Sequence, residues 1–447
     1  MPGAPGSASS KAPSPWLAEA PSAQPCPAVE GDVEADVAVV GAGFTGLSTA
    51  LALRREGLSV AVLEAETAGF GGSGRNAGHL TPTIGKDLPT LTRMYGRERV
   101  RRLVALQETA IAHTERLIER YSIDCGYEPV GNVIGAVHPR QHANLDRAAR
   151  AGAEHGVPGE LLEPADMERR GLPRAFTRGY FEPHGGILDP GRYVRGLREA
   201  ALDAGARLFE RSPVRTIDEK RRIIVRCDTG TVRANQLVIG TNAYTPQLGR
   251  LRASGMRIQV QLFRTAPLTD RHMEAVGWKG REGVYTAHEI LESYRLTTDN
   301  RIVGGSKVIR TGYGRNVLAD VDARVTARLE RMFRERFPEL ADLEITDHWG
   351  GPIYMSLDFL PVVGRDRRRP DILHAVAYAG HGVAMASYAG EMMADLILER
   401  DGPGSALWAH RSLPVPPEPL RSGAFHLLTR FFTALDRRAD RSAPRRG

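Results

Sequence analysis

Asp36 to Gly46, Asp-Val-Ala-Val-Val-Gly-Ala-Gly-Phe-Thr-Gly, constrains the fold more than any other stretch of this 447-residue chain. Val37 to Val40 have the length and content of a buried parallel strand. Gly41-x-Gly43-x-x-Gly46 then makes a tight turn that carries Phe44 and Thr45. Leu47, Ala50, Leu51 and Arg54 open a helix with i, i+3, i+4 spacing. A second apolar run, Leu58 to Leu63, ends at Glu64. Gly41 permits the turn, Gly43 lets backbone approach a pyrophosphate, and Gly46 lets helix and strand pack closely. The helix N-terminus presents N–H groups and a positive dipole to phosphate. Glu64 can accept both hydroxyl hydrogens of an adenosine ribose. Strand, turn, helix, strand and acid in this order specify a dinucleotide site, which a bare GxGxxG does not.

The segment after Glu64 separates NAD from FAD. A plain nicotinamide enzyme would enter an ordinary helix here. Instead Gly69-Phe-Gly-Gly-Ser-Gly-Arg-Asn-Ala-Gly-His79 follows, a loop whose backbone can pass close to a large ring system. With this loop, the chain resembles the glycine oxidase, sarcosine oxidase and D-amino-acid oxidase superfamily of FAD enzymes. Within it, the Gly-Phe-Thr-Gly-Leu fingerprint and the Ser73-Gly74-Arg75-Asn76 loop are most similar to the gamma-glutamylputrescine oxidoreductase branch. Further segments match in the expected order: Gly186 to Pro190 with Tyr193, Gly205 to Val214, Val238 to Tyr244, Tyr294 to Gly305, Trp349 to Gly351, Asp358 to Gly364, and Ala379 to Val383.

The resemblance implies an α/β protein. A Rossmann-type FAD-binding domain (32–90, 186–250 and 346–400) would be interleaved with an α+β substrate domain built on a mixed or antiparallel sheet (91–185 and 251–345). It implies FAD contacts from Ser73 to Asn76, from the backbone at Val214, and from Thr241. Gly380, His381, Gly382 and Val383 would lead a helix toward the pyrimidine end of the flavin, where negative charge gathers on reduction. Some relatives hold FAD through a Cys near the segment matching Tyr354 to Pro361, or a His in the Gly-rich loop. Here no Cys lies near the first, and Asn76 takes the place of the second. Dissociable FAD is therefore expected.

Relatives that oxidise amino acids place a Lys two residues after Gly-His-Gly, where this chain has Ala384. That points to an amine without a carboxylate beside its reacting carbon. Tyr354, Tyr285 and Tyr294 are candidates for lining an amine pocket; His381 and Tyr354 are the catalytic candidates. The expected reaction is oxidation of an amine C–N bond to an imine or aldehyde, with O2 or another electron acceptor. Neither Lys279 nor Lys307 aligns with the lysine that promotes reaction with O2 in some relatives, so oxidase and dehydrogenase both stay open. Alternatives are a secondary-amine or amino-acid oxidase, a flavin subunit passing electrons to a partner or membrane quinone, and a flavoprotein acting on tRNA.

Composition narrows the rest. Three scattered cysteines without CxxC spacing argue against a disulfide framework or a metal site and fit a reducing cytoplasm. No signal pattern opens the chain, and no apolar run reaches the about 20 residues of a membrane span. The net charge of +7 is spread as Arg along the chain without interleaved aromatics, so nucleic acid is not an expected partner. Residues 1–15 read as a disordered tail, Trp16 as an anchor, and 401–447 as an extension with a short amphipathic helix over Phe425 to Leu435. Oligomeric state is not legible. Acid precipitation of the yellow protein is expected to release all of its FAD, and flavin retained in the pellet would contradict a non-covalent cofactor.

Overall fold

The computed structural model describes residues 14–19, 24–219, 221–314, 318–408 and 410–441. Residues 1–13 of the expected tail lie outside them, whereas Ser14 and Pro15 are buried. The anchor expected at Trp16 exists. Its indole donates to Asn76 O at 3.1 Å, meets Trp349 edge-on at 5.8 Å and lies under the Arg295 guanidinium.

The first sheet runs, in order, Val362–Arg365, Ile372–Val376, Gly230–Ile239, Gly31–Val40, Val60–Leu63, Arg207–Phe209. All its neighbours are parallel except Val362–Arg365 against Ile372–Val376. Thr216–Glu219 and Ile223–Arg226 extend it as an antiparallel meander. The strand at Gly31–Val40 ends in Val37–Val40, buried as a continuous apolar run should be in a parallel sheet covered on both faces. Helix Phe44–Arg55 follows the glycine turn and packs on helix Gly382–Ile397, which in turn packs on helix Arg97–Arg120. Leu103, Leu106, Ala110 and Leu117 fill that last contact as their periodicity predicts.

The second sheet has the order Ile345–Met355, Met256–Pro267, Arg301–Gly305, Ser293–Leu296, Gly283–Thr286, Asn132–Ala136, Arg178–Glu182, Glu160–Leu162. Only the pair Gly283–Thr286 with Asn132–Ala136 is parallel. Helix Ala323–Arg336 covers one face through Val325, Leu329 and Phe333. The other face turns toward the glycine loop: Leu262, Val303 and Trp349 meet Trp16 and Ala77 there. Strand Ile345–Met355 belongs to this second sheet, and the first sheet resumes at Val362.

Tight helix packing sets the spacing of the nucleotide half. A Cβ on Gly390 would come within 2.4 Å of the Ser48 backbone. Gly390→Ala should therefore destabilise the fold by about 1–3 kcal/mol, as overpacked core sites do. A thermal melt checks this; an unchanged Tm would mean the two helices separate freely.

Candidate active site

Two uncapped helix N-termini converge on the crevice between the sheets. Helix Phe44–Arg55 begins at Gly43 with no side-chain cap, and helix Gly382–Ile397 begins at His381, also uncapped. Orphan N–H donors of this kind suit a phosphate and an electron-rich ring edge. Gly41 has a φ of +100°, in the region that favours glycine. A Cβ on Gly46 would lie 1.8 Å from Gly41 O, and one on Gly43 would lie 2.7 Å from Ser73 Oγ. The turn therefore tolerates no side chain at either place.

Each expected cofactor residue has a definite position. Phe44 N donates to Ser73 Oγ at 2.9 Å, tying the fingerprint to the second glycine loop. The Phe44 ring packs on Tyr193, and Thr45 Oγ1 bonds Tyr378 OH at 2.7 Å. Glu64 Oε2 accepts from Ala42 N at 2.8 Å, and burial pushes its carboxyl pKa up. Gly74 N donates to Gly69 O, and Asn76 Nδ2 to Ser73 O at 2.8 Å, so both shape the loop. Arg75 is buried and donates to Phe70 O and Gly350 O. Val214 lies just past the strand Arg207–Phe209 rather than inside it, packed with Ile217 and Cys227. Thr241 Oγ1 bonds Thr245 Oγ1 at 2.8 Å. Gly380 has a φ of +84°, Gly382 packs under the Tyr378 ring, and Val383 is buried behind them. His381 Nδ1 faces Ala379 O at 3.2 Å, and burial lowers its pKa, which leaves a neutral ring.

The second sheet supplies the opposite wall. Ile353 Cδ1 stands 3.8 Å from where a Gly380 Cβ would be. Further along that face, His79 Nδ1 contacts Asn132 Oδ1 at 3.1 Å, and His79 lies near His381. Burial and the neighbouring Arg295 bring the His79 pKa down to about 4, and its Nε2 is buried without a partner. Asn132 pairs across the sheet with Glu182, which places the two side chains on one face. Tyr285 stacks edge-on against His79 and donates its hydroxyl to Glu182 Oε2. Glu182 is 7% exposed and has no ion-pair partner among the described residues, and burial raises its pKa to about 7.

The three expected tyrosines divide. Tyr285 faces this space. Tyr294 lies on the opposite face of the same sheet, packed against Phe337, with its hydroxyl on Glu292, so it does not line the crevice. Tyr354 donates its hydroxyl to Leu251 O and borders an open cleft of about 490 Å³ with Arg257, Gln259 and Arg421. Ala384 is buried in the helix core and itself offers no cation there. Lys307 binds Glu292 and Asp436. Sequence reasoning passed over Glu182 and over Lys86, a loop cation close enough to His381 to lower its pKa. Lys86 pairs loosely with Asp87 and Glu289, at 3.6 and 3.5 Å.

The family of FAD dependent oxidoreductases called DAO matches residues 36–396. The chain belongs to that family. It is 30% identical over 410 residues to gamma-glutamylputrescine oxidoreductase of Escherichia coli K12, spanning 90% of this chain and 92% of that one. It is 29% identical over 374 residues to a probable oxidoreductase, OrdL, of Haemophilus influenzae, spanning 82% and 84%. Glycine oxidase from Geobacillus kaustophilus superposes with a TM-score of 0.70 at 22% identity, over 85% of this chain and all of that structure, a likeness of fold. The protein is thus an FAD-dependent oxidoreductase, with the mixed α/β fold expected of it.

The donor set fits FAD: uncapped helix ends, cradles that exclude a Cβ, and an acid at the end of the second strand. Glu64→Ala should weaken FAD binding by about 1.5–3 kcal/mol, roughly ten- to a hundredfold in Kd. Flavin fluorescence titration reads this directly; an unchanged Kd would assign Glu64 to holding the Ala42 turn alone.

Proposed function

We propose that the chain oxidises a primary amine that carries no carboxylate at its reacting carbon, of the gamma-glutamylputrescine type. The observation that carries this reading is Glu182, a buried carboxylate without a cationic partner on the face that looks toward Gly380. An unpaired buried acid is costly, and an alkylammonium entering the crevice would supply the missing charge. An amino acid would instead bring its own carboxylate toward Glu182, with Ala384 where a cation would be needed.

FAD, when bound, supplies the hydride acceptor. The protein's residues prepare the substrate. Glu182 takes one proton from the substrate ammonium at a carboxylate oxygen, which frees the nitrogen lone pair. With that lone pair free, the adjacent carbon could give up hydride, and the resulting iminium would hydrolyse to an aldehyde and ammonium. Tyr285 fixes the Glu182 carboxyl by donating to Oε2, while neutral His79 offers Nε2 without adding positive charge. The Gly380–Gly382 backbone and the helix behind it stabilise negative charge at the ring edge. In this proposal His381 shapes that turn and Tyr354 forms a wall, and neither moves a proton. Lys86, near the His381 side, is placed to receive a distal carboxylate such as that of a gamma-glutamyl group. Ser73 to Asn76, Val214, Thr241 and Val383 would complete the FAD contacts.

The test is anaerobic stopped-flow reduction of the flavin. Gamma-glutamylputrescine and simple amines are expected to outpace sarcosine, glycine and D-alanine at equal concentration. Fastest reduction by an amino acid would overturn the reading and favour the amino-acid oxidase alternative. Lys86→Ala should raise KM for the gamma-glutamyl substrate and leave that for putrescine unchanged.

Glu182 must be ionised to take the proton, so the reduction rate should rise with pH through about 7. Glu182→Gln should lower the rate and erase that inflection. The same carboxyl sets a stability trade. Its pKa in the folded chain lies above the unfolded value of 4.5, so the folded state favours the protonated form. The resulting penalty is absent below 4.5, grows as the pH rises, and is full above about 7. It amounts to about 3 kcal/mol. Glu182→Gln should therefore raise Tm at about pH 8 and change it little at about pH 5. A lower Tm at the higher pH would mean that a hidden cation compensates the acid.

A further inference from the structure

The geometry points to the C-terminal helix, Leu420–Arg441, as a surface that docks on an anionic lipid bilayer. The helix is twice as long as the amphipathic segment expected from Phe425 to Leu435, and its apolar stripe faces outward. Leu420, Leu427, Leu428 and Phe431 are 67%, 73%, 50% and 57% exposed. At 100° per residue, Leu420, Ala424, Leu427, Phe431 and Ala434 fall on one face, with Leu428 beside them.

The opposite face is fixed to the body by charge. Asp436, 4% exposed, accepts from Glu289 N and Ile290 N at 2.9 and 3.1 Å and pairs with Lys307 at 3.3 Å. Asp440 pairs with Arg336 at 3.1 Å and His288 at 3.2 Å. Phe425 packs beside Met256, Ile258 and Val415. This anchoring opposes rolling the leucines inward, because doing so would take Asp436 from Lys307 and Asp440 from Arg336 and His288. The outward stripe is therefore built into the fold.

Charge decides what covers it. Both aspartates of the helix point inward, so the helix itself sets no acidic side chain beside the stripe. Arg430 and Arg437 are exposed along one flank. A second copy of the chain would oppose leucine and arginine with leucine and arginine, and would bring no carboxylate to answer them. A bilayer bearing anionic headgroups answers both: acyl chains take the leucines and Phe431, and headgroups take the guanidiniums. The stripe runs over 12 residues from Leu420 to Phe431, about 16 Å of helix. That length suits a helix lying in the interface plane. No helix among the described residues is long and apolar enough to cross a membrane.

The experiment is vesicle sedimentation of the full-length, FAD-loaded protein. One set of vesicles is phosphatidylcholine alone and the other contains about 30% phosphatidylserine. The bound fraction should be at least about tenfold higher on the anionic set and should fall in high salt. Leu427→Glu with Phe431→Glu should abolish binding and leave flavin reduction by amine unchanged, since both positions are exposed and far from the glycine turns in sequence. Equal binding by wild type and double variant, or no binding by either, would overturn the proposal. So would a wild-type dimer in light scattering that the double variant converts to monomer, which would assign the stripe to self-association.

Discussion

One buried guanidinium holds the two halves of the protein in register. Arg75 leaves the glycine loop, donates to Phe70 O within that loop, and crosses to Gly350 O and Asp320 on the second sheet's side. Trp349 answers by donating its indole N–H to Arg75 O at 2.9 Å. A guanidinium suits this place because it offers five donors in a fixed plane and stays charged when desolvated. Everything that makes the crevice selective depends on that spacing. The distance between the Gly380 turn and Ile353, and the approach of His79 to Asn132, are set by two sheets that share no strand. The bond from Phe44 N to Ser73 Oγ then carries the same register into the helix that would meet the phosphates.

The parts of this arrangement written in short windows were legible in the sequence. The strand, glycine turn, helix and Glu64 are local, and each residue type has one physical reason to be there. The Arg97–Arg120 helix could also be read, because its apolar period is unambiguous. What failed was parity. Tyr285 and Tyr294 look alike in the sequence, and both sit in strands. Only the pairing of Tyr285 with Ser293 and of Val284 with Tyr294 decides which ring faces the flavin side. Glu182 escaped for the same reason. At the end of an ordinary-looking strand it reads as a solvent-facing acid, and its isolation appears only once Asn132 and Tyr285 are brought beside it. Lys86 escaped because it lies in a loop with no periodicity to interpret.

The distribution of charge follows a related logic. Most arginines spread along the chain have specific duties in the fold: Arg295 donates to Leu188 O beneath Trp16, Arg264 joins Glu19 to Asp347, and Arg336 holds the C-terminal helix. These pairs join elements distant in the sequence. Glu182, buried and without an ion pair among the described residues, stands out against that background.

The N-terminal arm has a consequence for how the protein is made. Trp16 is made before its seat, which is built from Asn76, 60 residues further along, and from Arg295 and Trp349 far beyond it in the sequence. Ser14 hydroxyl caps the same loop by donating to Gly74 O, and a side chain on Gly191 would strike the Trp16 carbonyl. The arm thus cannot seat until both sheets are in place, and it closes over the loop that would embrace the flavin. A fusion partner attached at the amino end would burden that closure, and its signature would be colourless protein with an intact fold.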